Sequence, residues 1–106
     1  MQTLDVVFRR EALADLAEVY RYIARQGAPE TAASYIQRLR DRCVAIGWAP
    51  NGGQPRDDLA RGLRTVGFER RAVIAYTVER GRVRITNVFY GGRDFESLYK
   101  RPAAGD

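Results

Sequence analysis

The chain contains no histidine and only one cysteine among its 106 residues. Without histidine, a Ser-His-Asp or Cys-His nucleophile system is excluded, and so is a histidine metal site. Cys43 alone can form neither an internal disulfide nor a thiolate metal cluster within one chain. Its position on the apolar side of a predicted helix indicates a buried and unreactive thiol. We therefore expect neither a metal nor a cofactor.

The sequence also lacks a long hydrophobic run. No segment approaches the roughly 20 consecutive apolar residues of a membrane span. The N-terminus, MQTLDVVFRR, lacks the basic-then-apolar order of a secretory signal. We expect a cytoplasmic protein that does not enter the membrane. A length of 106 residues, with 45% hydrophobic residues and no break in composition, predicts one domain over residues 1–106.

Positive charge is present in excess. The formal net charge is +5, and every basic residue except Lys100 is an arginine. A guanidinium is a planar fork that binds carboxylates and phosphates, so the excess suggests an acidic peptide or a nucleic acid as a partner. The alternative is that the arginines reflect only a GC-rich genome and solubility. Charge alone does not decide between an acidic partner and a purely compositional explanation. Direct binding of nucleic acid therefore also stays open.

The first part of the chain predicts a strand and two helices. Leu4, Val6 and Phe8 alternate with their neighbours as in a strand buried on one face. Helical spacing follows over residues 11–26 and again from Pro29, with Gly27 and Gly47 as stops. The expected buried stripes are Leu13, Leu16, Tyr20 and Ile23 in the first helix, and Ala32, Ile36, Leu39, Cys43 and Ile46 in the second. The short connection predicts an antiparallel helical hairpin.

The second part predicts a loop and three strands. The segment WAPNGGQPRDD breaks both periods, lacks the Gly-Lys-Ser/Thr ending of a phosphate-binding loop, and gives Asp57 and Asp58 a turn or capping role. The predicted strands run from Leu63 to Phe68, from Ala72 to Glu79 and from Arg82 to Tyr90. Arg80-Gly81 supplies the tight turn of the last hairpin. The result is an α+β fold of order β-α-α-β-β-β with an antiparallel sheet.

A short tail follows the last strand in NVFYGGRDFESLY, residues 87–99. Gly91 and Gly92 allow a sharp turn, and Asp94 can cap a helical turn beginning at Phe95. We expect three apolar residues to fold back onto the sheet: Phe95, Leu98 and Tyr99. In this structural interpretation Arg93 is solvated or pairs with Asp94.

Five segments in this order match a known pattern: Phe8 before EALADLAEVYRYIA, AASYIQRLRDRC, GLR at Gly62 to Arg64, VIAYTV at Val73 to Val78, and VRITNVFYGGRD at Val83 to Asp94. The whole resembles the RelE/ParE superfamily of bacterial type II toxin–antitoxin toxins, and more closely its ParE branch. ParE-like sequences similarly carry a Leu-Arg pair, an Ile-x-Tyr central strand and a last strand ending His-Gly-x-Arg-Asp. Tyr90 takes the place of that histidine.

The resemblance implies a toxin with a helical hairpin packed on an antiparallel sheet. Toxins of the ParE branch are described as poisons of DNA gyrase that act on the topoisomerase–DNA complex without a catalytic reaction of their own. The resemblance also implies a ParD-like antitoxin, in which a disordered acidic and apolar segment folds around the toxin in a hetero-oligomer. An arginine-rich surface beside apolar grooves suits such a segment.

The RelE branch supplies an alternative function, ribosome-dependent cleavage of mRNA by arginine, lysine and tyrosine side chains. Attack by a ribose 2′-hydroxyl needs acid–base help and stabilisation of the phosphate charge. Val73 stands where an arginine is usual, and the loop before the sheet has no lysine pair. Arg93 and Tyr99 are therefore the catalytic candidates of this alternative. A third possibility is a degenerate member that keeps only antitoxin binding.

Five residues are predicted to contact the target or the antitoxin: Arg64, Arg93, Asp94, Tyr99 and Tyr35. Arg64 precedes the central hairpin, where its guanidinium can reach a partner or pair with a neighbouring carboxylate, Asp57 or Asp58. Tyr35 lies off the predicted stripe of the second helix, which favours contact with a partner.

Two further aromatic residues lie on or beside the predicted hairpin, where such side chains can anchor a partner. They are Tyr20 and Trp48. For Tyr20, packing in the core is the favoured interpretation.

Overall fold

The computed structural model describes residues 3–92 and 94–99. The elements in chain order are β1 (Asp5–Phe8), α1 (Arg10–Gln26), α2 (Pro29–Ala45), β2 (Gln54–Pro55), β3 (Arg64–Phe68), β4 (Ala72–Glu79), β5 (Arg82–Tyr90) and α3 (Glu96–Tyr99). A short 3₁₀ helix, Ile46–Trp48, follows α2 directly. The predicted α+β class is confirmed.

The five strands form one sheet in the order β1-β5-β4-β3-β2. β2, β3, β4 and β5 pair in antiparallel fashion, but β1 runs parallel to β5, so the sheet is mixed and not wholly antiparallel as predicted. The helical hairpin separates β1 from its partner, and no tight turn therefore dictates an antiparallel pair. β2 was not predicted because two residues are too few to show alternation.

The larger core lies between the helical hairpin and one face of the sheet. Its buried residues are Ala12, Leu16, Val19, Tyr35, Leu39, Cys43, Ile46, Ala72, Ile74, Tyr76, Val83, Ile85 and Val88. Cys43 is fully buried as predicted, and burial raises the pKa of its thiol to about 12. No helix in the described part of the chain is long and apolar enough to cross a membrane.

The buried face of α1 differs from the predicted stripe. Leu16 is buried, but Leu13 and Tyr20 are 46% and 37% exposed. The helix buries Ala12 and Val19 in their place. The interpretation of Tyr20 as a core residue is therefore wrong. A buried alanine contributes little to a hydrophobic pattern, although its small size lets a helix approach its neighbours closely.

Asp15 explains which side of α1 faces the sheet. Its Oδ2 accepts hydrogen bonds from the Val88 backbone N–H at 2.9 Å and from Asn87 Nδ2 at 3.2 Å. β1 ends where Phe8 pairs with Ile85, so the rest of β5 has no strand partner on that side. An unpaired backbone N–H at a covered sheet edge needs an acceptor. Asp15 supplies it and thereby turns α1 towards β5.

A β-bulge at Thr86 changes which residues of β5 face the helices. Ala75 pairs with Asn87 and Tyr76 pairs with Ile85, which leaves Thr86 as an extra residue. The Thr86 hydroxyl donates to the Ala75 carbonyl oxygen at 3.2 Å. One inserted residue reverses the alternation of side chains along a strand. The helices therefore contact odd-numbered residues of β5 before the bulge and even-numbered ones after it.

The other face of the sheet carries a smaller core, whose buried residues are Leu59, Leu63, Ala75 and Phe89. Two of them belong to the loop 56–63, called the covering loop below. Phe89 reaches this face because of the bulge. The helices do not extend to this side, so the loop and the C-terminal tail are its cover.

The C-terminal tail, residues 94–99, packs against this smaller core as predicted. Phe95 stacks on Phe89 with ring centroids 5.1 Å apart, and Tyr99 makes an edge contact with the same ring at 6.3 Å. Leu98 was predicted to pack with them but is 49% exposed. Its position on a helix of only four residues points it away from the two rings that fold back.

Candidate functional site

A cleft of about 530 Å³ opens where the end of α1 and the first half of α2 meet the β3–β4 turn. It is called the Tyr35 cleft below. Its lining residues are Ile23, Glu30, Thr31, Ser34, Tyr35, Arg38, Glu69, Arg71 and Tyr90. Two arginines and two glutamates surround an aliphatic and two aromatic side chains. A site of this kind can bind a group that is polar at one end and apolar at the other.

Tyr35 lies on the buried stripe of α2, which corrects the prediction that it lies off that stripe. Its side chain is 7% exposed, whereas Ile36 is only half-buried. The ring makes edge contacts with Phe68 and with Tyr90, both at a centroid distance of 5.6 Å. These aromatic contacts turn the buried face of α2 towards Tyr35. Whether Tyr35 contacts a partner stays a prediction.

The Tyr35 hydroxyl oxygen is buried and has no hydrogen-bond partner among the described residues. Burial, followed by the nearby Tyr90 and Glu69, raises the pKa of this hydroxyl to about 12. The positive charges of Arg38 and Arg71 act in the opposite direction. The hydroxyl therefore lies within electrostatic reach of four residues of the same cleft. Buried polar groups without a partner are uncommon in folded proteins.

An ion pair joins α2 to the β3–β4 turn beside this hydroxyl. Arg38 Nε donates to Glu69 Oε2 at 2.9 Å, and Arg38 Nη2 donates to Glu69 Oε1 at 3.0 Å. These bonds to Arg38 lower the pKa of the Glu69 carboxyl. Glu69 and Arg70 have φ angles of 49° and 61°, a region that non-glycine residues rarely adopt. The ion pair helps to hold the turn in this conformation.

Arg71 follows the turn and is held there by its backbone. Its N–H donates to the Phe68 carbonyl oxygen at 3.1 Å, and its own carbonyl oxygen accepts from the Gly91 N–H at 2.8 Å. The Arg71 side chain is exposed and forms no ion pair with any residue that the structure describes. The cleft thus contains one paired guanidinium and one whose charge is not balanced by a described neighbour.

Tyr90, at the position where the resemblance expects histidine, separates two clefts. One is the Tyr35 cleft. The other, of about 310 Å³, is lined by residues of α1, including Tyr22 and Asp15, and by Gly91. Tyr22 and Tyr90 meet edge to face at a centroid distance of 5.9 Å. Tyr90 therefore contributes to a row of aromatic rings between the helices and the end of β5.

A third cleft, of about 280 Å³, lies on the face of the sheet opposite the helices. It is called the Phe89 cleft below. Its lining residues are Gly67, Arg70, Arg71, Ala72, Val73, Phe89, Gly92 and Phe95. Arg71 thus borders clefts on both faces of the sheet.

Arg64 holds the loop that precedes β2. Its Nη1 donates to the Asn51 carbonyl oxygen at 3.0 Å and to the Gly53 carbonyl oxygen at 2.7 Å. The alternative salt bridge to Asp57 or Asp58 is wrong, because Arg64 forms no ion pair with any residue that the structure describes. Whether Arg64 also contacts a partner stays a prediction.

Asp57 and Asp58 have local roles, as predicted from their adjacency. Asp57 Oδ1 accepts from the Gly62 N–H at 2.8 Å and so closes the covering loop. Asp58 is bonded by Arg56, whose Nε and Nη2 donate to its two carboxylate oxygens at 3.0 Å each.

Tyr76 completes the support of the loop that Arg64 holds. Its fully buried hydroxyl donates to the Pro50 carbonyl oxygen at 2.8 Å and accepts from the Gly53 N–H at 3.0 Å. A Cβ added at Gly53 would lie 2.5 Å from that hydroxyl oxygen. The tyrosine of the Ile-x-Tyr segment is thus a structural residue whose ring and hydroxyl are both used inside the protein.

The predicted tail residues have different surroundings. Arg93 lies outside the described residues. Asp94 is exposed just before α3, and its carbonyl oxygen accepts from Ser97 Oγ at 2.9 Å. The Tyr99 hydroxyl is buried without a hydrogen-bond partner of normal geometry among the described residues. Burial raises the pKa of Tyr99, and the neighbouring Thr86 hydroxyl only partly opposes this shift.

Arg56 connects the covering loop to the tail and was not predicted from the sequence. Besides Asp58, its guanidinium binds the Glu96 carboxylate of α3, and only 16% of its side chain is exposed. Both carboxylates raise the pKa of Arg56, the bonds to Asp58 most strongly. No sequence signal marks this arginine among so many others, because its two partners lie 2 and 40 positions away.

Trp48 is 62% exposed at the end of the 3₁₀ helix, and Val44 in the last turn of α2 is 54% exposed. Exposed aromatic side chains of this size are frequent anchors for partner proteins. That Trp48 binds a partner stays a prediction.

The described residues contain no group of three or more cysteines, aspartates and glutamates arranged to hold a metal ion.

A sequence model described as the ParE toxin of the type II toxin–antitoxin system, parDE, matches residues 6–95. Among curated proteins, none matches the sequence. A solved structure described as the chromosomal ParDE TA system from P. aeruginosa superposes with a TM-score of 0.74. It is 22% identical, and the match covers 84% of this chain and 97% of the other. This likeness shows a shared fold.

A helical hairpin on a five-stranded sheet, with a family match over residues 6–95, defines the class: a toxin fold of a type II system. The chain belongs to the ParE toxin family.

Proposed function

We propose that this toxin acts by binding DNA gyrase and that a ParD-like antitoxin neutralises it by forming a hetero-oligomer. Membership of the ParE family supports a type II toxin, and the fold is shared with a structure described as a ParDE system. The choice of gyrase follows from what the resemblance to the ParE branch implies. The protein would act by contact and not by a chemical step of its own.

The observation that carries this proposal is the burial of Tyr99, one of the two catalytic candidates of the ribonuclease alternative. Its hydroxyl is buried against the sheet. Cleavage of a phosphodiester needs a proton acceptor or donor that reaches the reacting atoms. A buried tyrosine with a raised pKa is poorly suited to that role. This arrangement favours a binding protein over a ribonuclease.

The exposed surface carries aromatic and arginine side chains, which are common in protein interfaces. Tyr22 and Trp48 are 47% and 62% exposed, and the described surface is rich in arginine. Aromatic and arginine side chains contribute most to the affinity of protein interfaces. An acidic and apolar antitoxin segment would match these properties in both charge and hydrophobicity.

Gyrase supercoiling in the presence of the antitoxin-free protein tests the target. We expect supercoiling to be lost and cleaved DNA to be trapped, with intact mRNA in a ribosome-bound cleavage assay on the same preparation. Cut mRNA with unaffected gyrase would contradict the proposal and support the ribonuclease alternative. If neither assay responds while the antitoxin still binds, the degenerate member is the correct interpretation.

The tail can be tested in the same assay. Replacement of Arg93 and Asp94 together by alanine should abolish gyrase inhibition and growth arrest if these residues contact the target. Arg61→Ala, which removes an exposed charge from the covering loop, is the matched control. A folded double variant with full toxicity would show that the tail is only structural.

A further inference from the structure

We propose that the Tyr35 cleft binds the carboxylate of an aspartate or glutamate on a partner polypeptide, with Arg71 and the Tyr35 hydroxyl as its contacts. The inference rests on the proposed function in one respect, because the partner is taken to be the antitoxin. It adds the place on the toxin, the chemical group that is recognised and the two side chains that recognise it.

The first argument is the buried hydroxyl. Tyr35 is 7% exposed, and its hydroxyl has no hydrogen-bond partner among the described residues. Arg38 and Arg71 can only donate hydrogen bonds. The acceptors that line the cleft, including the Glu30 and Glu69 carboxylates, form no hydrogen bond with the Tyr35 hydroxyl. A carboxylate from outside would supply an acceptor.

The second argument is charge. Arg38 is neutralised by Glu69, but the guanidinium of Arg71 has no ion pair among the described residues. The cleft also contains the start of α2, where Ala28 provides no side-chain cap, so the positive end of the helix dipole is not capped there. Both features favour an anionic group. Glu30 at the same helix start is the opposing charge.

The third argument distinguishes a peptide from a nucleic acid. Glu30 and Glu69 line the cleft and would repel the closely spaced phosphates of a nucleic-acid backbone. Ile23, Tyr35 and Tyr90 form its apolar part, which suits the aliphatic stem of a glutamate or an apolar neighbour in the same segment. A single carboxylate on a partly apolar chain fits this combination best.

The part of the site that carries Arg71 is also preorganised. The β3–β4 turn is fixed by the Arg38–Glu69 ion pair and by the hydrogen bond from the Arg71 N–H to the Phe68 carbonyl oxygen. Gly91 bonds the Arg71 carbonyl oxygen on the other side. The backbone that carries Arg71 therefore needs no rearrangement before binding, and a preformed site loses less entropy when a partner binds.

The test compares three variants of the 106-residue chain in calorimetric titration with the ParD-like antitoxin of the proposed function. Arg71→Gln should weaken binding about tenfold or more, because a charge-assisted hydrogen bond is lost. Tyr35→Phe should weaken binding about fivefold, yet leave the Tm of the free toxin unchanged or higher, because it removes an unpaired buried hydroxyl. Arg82→Gln removes the same charge at the far end of β5 and should bind like the wild type.

The carboxylate is identified by changing each aspartate and glutamate of the antitoxin's toxin-binding segment to its amide. One of these changes should lose its effect in the Arg71→Gln background, as expected for two groups in direct contact. Equal affinity of Arg71→Gln, Tyr35→Phe and Arg82→Gln would overturn the inference and leave the proposed antitoxin in place. A wild-type toxin that does not bind the antitoxin at all would overturn both.

Binding of a labelled single-stranded oligonucleotide tests whether the cleft is instead a phosphate site. We expect no binding that depends on Arg71. An oligonucleotide that binds the wild type and is released by Arg71→Gln, without coupling to any antitoxin carboxylate, would overturn the inference in favour of a phosphate site.

Discussion

The two faces of the sheet are covered in different ways. On one face, two helices of 17 residues each bury a continuous core that includes Leu39, Cys43 and Ile74. On the other face, a loop and a tail with a four-residue helix form a core with the sheet that has only four buried residues. The first face relies on apolar area, whereas the second relies on a few aromatic contacts and on the ion pairs of Arg56.

This difference indicates where the free energy of unfolding is concentrated. Segments with few buried apolar contacts open locally at a low cost, while a helical core opens only with the whole domain. Two of the residues predicted to contact a partner, Asp94 and Tyr99, belong to the thinly covered side. The following predictions test the comparison, beginning with the largest expected effect.

Thiol labelling should distinguish the faces most clearly. Cys43 is fully buried, so we expect a reagent to reach it only after global unfolding. The thiol pKa of about 12 also leaves little thiolate in the folded protein. In native protein we expect labelling at least roughly a thousandfold slower than in urea, since a free thiol has a pKa of about 8.5. Leu59→Cys in a Cys43→Ala background should label much faster. Equal native rates at the two positions would contradict the comparison.

Leucine truncations should follow the same order. Leu39→Ala, at a fully buried position among the helices, should lower the free energy of unfolding by about 3–4 kcal/mol. Leu59→Ala in the covering loop, where the residue is 9% exposed, should cost about 2 kcal/mol. Urea unfolding monitored by circular dichroism measures both. A larger loss at Leu59 would reverse the order proposed for the two faces.

Arg56→Ala should loosen the tail with only a minor effect on global stability. The variant removes both the bond to Asp58 and the ion pair to Glu96 that joins the covering loop to α3. Hydrogen exchange of the Leu98 N–H, which donates to the Phe95 carbonyl oxygen at 3.1 Å, should become clearly faster. Arg61→Ala, in the same loop, serves as the control. Unchanged exchange in Arg56→Ala would show that ring stacking alone holds the tail.

The smallest effect concerns the ion pair at the β3–β4 turn. Arg38 lowers the pKa of the Glu69 carboxyl in the folded state. The ionised carboxylate therefore stabilises the fold above the unfolded pKa of about 4.3. This stabilisation is lost as the pH falls through the lower folded pKa. Glu69→Gln should have a slightly lower Tm than wild type at pH 7. The difference should shrink as the pH falls below the unfolded pKa and vanish once the carboxyl is protonated in the folded state as well. A constant difference across this range would exclude the ionised carboxylate as its cause.

Most of the fold could be predicted because its elements have strong periodic signals. The bounds of β4 and β5, from Ala72 to Glu79 and from Arg82 to Tyr90, agree with the sequence pattern. The orientation of α1 could not be predicted, because Asp15 is a polar residue whose acceptor role depends on where β1 ends. The direction of β1 likewise depends on a partner at the other end of the chain.

The candidate site was less accessible to sequence reasoning. Arg38 and Arg71 are ordinary members of an arginine-rich sequence, and only the fold brings them to the same cleft. Tyr35 was singled out because it was expected to lie off the buried stripe of α2, and this reason is wrong, since its side chain is buried. The burial of its hydroxyl could not be read from spacing, because it depends on Phe68 and Tyr90 from distant strands.

The contact between Gly53 and Tyr76 has a consequence for how such toxins can diverge. A Cβ at position 53 would lie 2.5 Å from the Tyr76 hydroxyl oxygen and 2.8 Å from one of its ring carbons. Removing the hydroxyl alone would not make room. We therefore expect the two positions to be coupled: with tyrosine at position 76, a residue larger than glycine at position 53 should destabilise the fold, and a smaller side chain at 76 should relieve part of that loss.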